Sequence, residues 1–511
     1  MFNRHFTPPS LVKSSAGIIT AWSRARIVFA AIACAFSATK VTAVDYPKQE
    51  CLNFFNQVDK TVWNADAYDA QAYPIKGYPY LRANRFLASF KNELSDETKL
   101  SYWLMQLRKL DHDARRVEWQ NLPSFDRTKL DQLRLKLFPA SLDTLATLDQ
   151  CARELMAQAH EQPKQIIQNV AAPASYSILK RLAGLYPFTA VPFSSGIRRH
   201  QAKISASYAQ ALAQVIATDN VIKYVPPSSQ ADNHEIETLI KKASDNPLNI
   251  PDPNAEQLQL LFAKFAPIFA QETKGNFDRL GRPEWQPSNR AVINIAQPTV
   301  HTLHSHARMN GKILLQLTYV IWFTERPKSG AFDMLAGAVD SVIWRVTLTP
   351  EGQPLAYDTI HGCGCYHYFF PSDTLRAKPR HPSLQEYAYA PQAAPVLGSG
   401  ERVVVWLESA THYVTRVTRA TPADEIASNN YILAEYDELR TLAKSDGTTR
   451  NLFRPDGLIH GTERGERLLF WPMGITSAGA MRQWGHHATA FVGMRHFDDP
   501  DLLESAFELA E

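Results

Sequence analysis

The chain has 511 residues, of which 45% are hydrophobic and 21% charged. That is too long for one small core and too apolar for a disordered chain, so a folded protein of two or three domains is expected. Five of its 54 Lys and Arg, and none of its 51 Asp and Glu, lie in residues 1–43, so the remainder sits near −2 rather than +3 and offers no basic face for nucleic acid.

Residues 1–43 read as a secretory signal peptide. Bases ending at Arg26 precede the apolar run Ile27–Phe36, and small residues lead to Ala43. The run falls short of the roughly 20 apolar residues a spanning helix needs. Two alternatives are an uncleaved anchor and a lipoprotein acylated at Cys34. Membrane contact is expected only in those two cases. Export places the other four cysteines in an oxidising compartment. Cys51 and Cys151 are the simplest disulfide, closing a loop of about 100 residues. Cys363 and Cys365 remain as a separate unit.

Residues 44–280 read as mainly helical. A short helix is expected around Cys51, and a packed loop over the Tyr- and Pro-rich stretch 68–80. Leu100, Trp103, Leu104, Leu107 and Leu110 recur at three- and four-residue steps, predicting a long amphipathic helix to about 121. Another is expected from Ser141 to about Ala159. Stretches 174–185 and 200–217 are helical, with breaks at Pro187 and Pro192. Glu235–Ala243 and the Leu258–Phe269 pattern complete this half, the latter open to interruption at Pro267. Glu272, Asp278, Arg279 and Arg282 read as a solvated charged linker, or as a lid over a cleft between the halves.

From 285 to 511 the pattern becomes β. Residues 313–323 are apolar at nearly every position, as in a central strand. Ser341–Leu348 and Leu355–His361 flank a turn at 349–353 and predict a hairpin, with Arg345 and Asp358 as a cross-strand ion pair. Arg402–Leu407, His412–Val417 and Ala488–Val492 read as further strands, 371–400 as a Pro-rich loop, and Ser477–Gln483 as a short helix. The fold class is α+β: a helical N-terminal half, then a mainly antiparallel, sandwich- or barrel-like C-terminal half.

The chemistry concentrates where the hairpin ends. His361, Cys363, Cys365 and His367 alternate with Gly362, Gly364 and Tyr366. On an extended backbone they line one face. Thiolate and imidazole are ligands for zinc or copper, but the ends of this row lie about 20 Å apart, so one ion takes at most the central pair and one histidine. Eleven of the sixteen histidines fall between 301 and 496. His304, His306 and His412 are the donors expected to complete the shell, with His301 facing away from the first two. The expected function is an exported, envelope-located protein with a transition-metal site used for hydrolysis or oxidation. One alternative is a thiol–disulfide redox protein in which a tight turn at Gly364 brings Cys363 and Cys365 together. The other is a non-enzymatic envelope binding or scaffolding protein, its partner a small molecule or an envelope protein. Glu408 reads as a surface carboxylate, or else as a general base or a metal ligand. Arg482, Trp484, His486 and His487 read as a transition from surface to core. Zincin, α/β-hydrolase, Walker and Rossmann signatures are absent.

Overall fold

The computed structural model describes residues 46–211, 220–229, 231–379, 385–421 and 429–510, which belong to one compact unit, Tyr46–Glu511. The signal-peptide reading, Cys34 and His381 lie outside the described residues. Helices gather in the N-terminal half and mainly antiparallel strands in the C-terminal half, as the α+β reading expects.

The helical half is organised by amphipathic periodicity and caps. Lys48–Asn64, Glu97–Asn121, Ser124–Leu137 and Thr144–Glu161 enclose Phe54, Phe55, Trp103, Leu104 and Leu155. Asp96 and Asp143 accept from backbone N–H groups in the first turns of their helices, satisfying donors that helix geometry leaves open. Cys51 and Cys151 are joined, with Cα atoms 5.3 Å apart. Stretch 68–80, expected as a loop, contains the strand Tyr73–Ile75 and the start of Tyr78–Ala83, an antiparallel pair laid on the long helix.

Two sheets make the β half. The larger runs, in spatial order, Tyr368–Pro371, Pro354–His361, Gly337–Leu348, Lys312–Arg326, Thr299–Met309 and Ile432–Glu435. The smaller runs Val414–Ala420, Arg402–Leu407, Ile268–Glu272, Val221–Val225 and Asn429–Asn430. Leu317, Tyr319, Val342 and Trp344 of the first share a core with Phe269, Val403, Val405 and Val417 of the second, a sandwich arrangement with no closed barrel. The opposite face of the larger sheet buries Trp322, Ile343, Ile360 and Phe369 against Phe453, Met481 and Phe497. Lys312–Arg326 is covered on both faces, which is why it lacks polar alternation.

Several local expectations need correction. Phe269 leaves its helical pattern: the helix Ala255–Phe265 stops before Pro267, and Ile268–Glu272 pairs as a strand. That strand and Val221–Val225 join the smaller sheet, so the sheet draws on chain from both sides of residue 280. Pro187 and Pro192 do not break the helix Tyr186–Tyr208: one lies in the first turn, where no N–H bond is lost, and the other is tolerated inside. Ser477–Gln483 forms turns, and Ala488 only a single bridge to His496, because this segment is held by side chains rather than by a ladder.

Candidate functional site

The two central cysteines sit in a tight turn between Pro354–His361 and Tyr368–Pro371, not on an extended strand. The Gly364 amide donates to the His361 carbonyl at 2.7 Å, and the His361 amide to the Cys365 carbonyl at 2.9 Å. Gly364 has φ +91°, and a Cβ there would lie 2.4 Å from the Ala488 carbonyl oxygen. A Cβ at Gly362 would lie 1.8 Å from Ser341 Oγ. Both glycines are therefore demanded by close packing, and the turn is fixed.

The turn divides the four ligand-type residues. Cys363 and Cys365 are both free thiols and both buried. The Cys365 amide donates to Cys363 Sγ at 3.4 Å, and the two side chains are hydrogen-bonded to each other. That bond to Cys363, together with burial, pushes the Cys365 thiol well up. Arg482 sits against the turn, with Nε donating to the Cys363 carbonyl at 3.0 Å and its amide to the Gly362 carbonyl. The thiols line a cavity of about 20 Å³, room for a water molecule, with Tyr366, Glu386, Thr489 and Phe491. Burial pushes the Glu386 carboxyl up.

His367 lies on the far side of the hairpin. Its Nε2 is 3.0 Å from Asp358, which is bound by both arms of the Arg345 guanidinium at 2.9 and 2.5 Å. Arg345 and Asp358 are directly opposed in the strand register, as the sequence predicts. Burial holds His367 down at about 4, since Arg345 already neutralises the carboxylate.

His361 turns instead towards a second group. Its ring is 5.0 Å from Tyr366 and 5.5 Å from Tyr413, and its Nδ1 lies 4.0 Å from Asp340. Burial lowers it to about 3. Asp340 also meets Arg464 at 3.0 Å and His412 Nδ1 at 2.8 Å. His412 is wholly buried, stacked on Phe323 at 3.8 Å, with Asp278 3.5 Å from its other nitrogen. Burial alone would lower His412, but Asp278 and Asp340 on its two sides raise it. Burial lifts Glu466, beside Arg464, to about 7. Val339, Tyr366, Ala410 and His412 all have φ between +54° and +66°, a left-handed conformation costly for residues with a Cβ. Backbone strain is thus gathered around this network.

His304 and His306 do not join either group. His306 Nε2 bonds the Pro251 carbonyl at 2.7 Å, its ring stacks on Phe86, and His304 lies edge-on to it. Among the described residues no group of three or more His, Cys, Asp or Glu side chains is arranged to hold a metal ion. No protein-family model matches the chain, and no curated protein or solved structure matches it significantly.

Reading the sequence alone misses Asp278 and Asp340. Asp278 is no solvated linker residue: it accepts from Ser409 Oγ, the Ala410 amide and the Lys274 amide. Asp340 does carry a signal, because it and Arg345 are the only charged residues of the Gly337–Leu348 strand. Arg482 likewise stands under the thiols rather than at a surface transition.

Proposed function

We propose that the protein exchanges a dithiol for a disulfide, with Cys363 as the nucleophile and Cys365 as the resolving thiol. The observation that carries this reading is the asymmetry of the pair. Cys363 Sγ accepts the Cys365 amide hydrogen bond, and the hydrogen bond between the two side chains, together with burial, pushes the Cys365 thiol well up. Arg482 adds positive charge beneath the turn. In the first step the Cys363 thiolate attacks a sulfur of a substrate disulfide, forming a mixed disulfide and releasing one thiolate, which takes a proton. Cys365 then gives up its proton and attacks Cys363 Sγ, releasing the second thiol. Two electrons and two protons pass from the protein dithiol to the substrate, and a Cys363–Cys365 disulfide remains. Glu386, in the same cavity, is the carboxylate available to take the Cys365 proton.

Metal-assisted chemistry at the same thiols needs a third donor, which the surroundings of the turn do not supply among the described residues. The dithiol reading needs the two thiols of the turn, the neighbouring Glu386 and Arg482, and a substrate disulfide.

The test is equilibration of the native protein in buffers of reduced and oxidised glutathione, acid quench and mass mapping. The expected result is a Cys363–Cys365 disulfide that forms and reverses with the buffer, while Cys51–Cys151 stays closed. Thiols that ignore oxidised glutathione until the protein is unfolded would refute the reading. A stoichiometric zinc or copper ion, released on alkylating both cysteines, would favour the metal reading instead.

A further inference from the structure

Several exposed apolar side chains gather away from the thiol site. They lie on the helix Ile178–Ala183, the start of the helix Tyr186–Tyr208, and the short helical segment Arg467–Phe470 with Trp471. Leu179 is 78% exposed, Leu182 68%, Phe188 76% and Leu468 68%. Leu185, between the two helices, has φ +49° and still presents its side chain to solvent. Burial is nearly absent on the other side of the account: no residue of Ile178–Ala183 is buried, and only Ala190 and Tyr208 are buried in the longer helix. Exposed apolar groups of this size in one place mark an interaction surface.

These side chains are not on a frayed segment. The Ser177 amide donates to the Gly474 carbonyl at 2.8 Å, and Arg181 Nε donates to the Met473 carbonyl at 2.8 Å. A Cβ on Gly184 would fall 2.5 Å from Pro472 Cβ, so the turn between the helices is pressed directly onto the Trp471–Met473 turn. Phe193 packs edge-on against Phe470. Two segments nearly 300 residues apart in sequence are thus locked into one platform that holds leucines and phenylalanine outwards.

The helices Ile178–Ala183 and Tyr186–Tyr208 of this platform carry charge of one sign, while Glu463 and the buried Glu466 precede Arg467 in the third segment. Residues 162–218 contain Lys164, Lys180, Arg181, Arg198, Arg199 and Lys203 and no Asp or Glu. Arg467 adds an exposed base directly before Leu468. Residues 162–218 form the longest acid-free stretch in the chain. An outward apolar face whose two longer helices carry bases and no acid complements an anionic lipid surface: the leucines and phenylalanine enter the headgroup and acyl boundary, and the bases meet the phosphates. Among the described residues no helix is long and apolar enough to cross a membrane, which fits a face that lies on a bilayer.

We propose that this platform docks the protein on the surface of an anionic membrane, independently of whatever becomes of residues 1–43. It does not rest on the dithiol reading.

The test is flotation of the purified protein with phosphatidylcholine vesicles containing about 30 mol% phosphatidylglycerol, and with pure phosphatidylcholine vesicles. The protein is expected to float with the anionic vesicles and to bind the neutral ones about tenfold more weakly, with the difference shrinking as salt rises. Leu182→Asp with Phe188→Asp should abolish flotation, and Lys180→Glu with Arg467→Glu should reduce it about tenfold. All four positions lie off the buried cores, so unchanged far-ultraviolet circular dichroism and an intact Cys51–Cys151 bond check the fold. If the wild type fails to float with either vesicle, the proposal is overturned. Flotation that survives Leu182→Asp with Phe188→Asp overturns it as well, since another face would then bind. A dimer in light scattering that the same double substitution dissolves, without vesicle binding, assigns the face to a second copy of the chain and also overturns it.

Discussion

The helical region and the β region both bury many charges, but they treat them differently. Around the long helix every buried charge is matched. Arg82 meets Asp111 and Glu118, Arg115 meets Asp111 and Asp59, and Arg440 reaches across from the β region to Asp69 at 2.6 Å. Its two cysteines are spent as a crosslink. Around the 361–367 turn the cysteines are free, several backbone positions sit at positive φ, and ring nitrogens of His361, His367 and His487 lack a hydrogen-bond partner. The first pattern is that of a scaffold, in which the buried charges are paired and the cysteines are closed. The second leaves reactive groups and strain in one place, as a site requires.

The comparison breaks first at the crosslink. Cys51→Ser with Cys151→Ser should lower unfolding free energy by about 4–5 kcal/mol on the chain-entropy model, read from denaturant melts under non-reducing conditions. Close behind comes Asp340→Ala, which strands Arg464 and His412 in the interior. A loss of about 3–5 kcal/mol is expected in the same melts, and a loss below about 1 kcal/mol would mean that the network is not a buried ion pair in solution.

Acid should find the β region first. His301 and His361 are held down to about 3, and His306 and His367 to about 4, all by burial. A histidine whose folded pKa is depressed stabilises the fold above its unfolded value near 6.5 and loses that contribution as pH falls towards the folded value. Stability should therefore drop by several kcal/mol between about pH 7 and 5. Glu466 and His412 run the other way, because their folded values are raised. Their contribution is present at low pH and lost as pH rises. Glu466→Gln isolates one of these: relative to the wild type, it should remove up to about 2–3 kcal/mol of pH dependence between about 4.5 and 7. Equal melting curves for the two proteins across that window would show that Glu466 titrates normally.

The smallest expected effect on stability is the sharpest on function. Cys363→Ser should change stability by less than about 1 kcal/mol, since the turn is fixed by its glycines and by Arg482 rather than by the sulfur. It should nonetheless abolish formation of the mixed disulfide with glutathione, whereas Cys365→Ser should trap it.

Much of the framework could be read from the sequence. Three- and four-residue apolar spacing indicated the long helix that ends at Asn121, and continuous apolarity marked Lys312–Arg326 as central. The turn at 349–353 set the hairpin register, and with it the opposition of Arg345 and Asp358. Cysteine arithmetic gave Cys51–Cys151. All of these are local signals or counting arguments, in which the residues concerned carry their own periodicity. The site was legible only as a cluster of unusual residues. Alternation of His361, Cys363, Cys365 and His367 suggested one face, because periodicity assumes a regular backbone. The tertiary structure decided otherwise: Ser341 and Ala488 press on Gly362 and Gly364, forcing a turn that sends the two histidines to opposite sides and leaves the sulfurs together. Asp278, Asp340, Glu386 and Arg482 come to this neighbourhood from four separate segments. No spacing rule connects them, since what joins them is the packing of the smaller sheet and its loops on one face of the larger sheet and of the irregular C-terminal chain on the other.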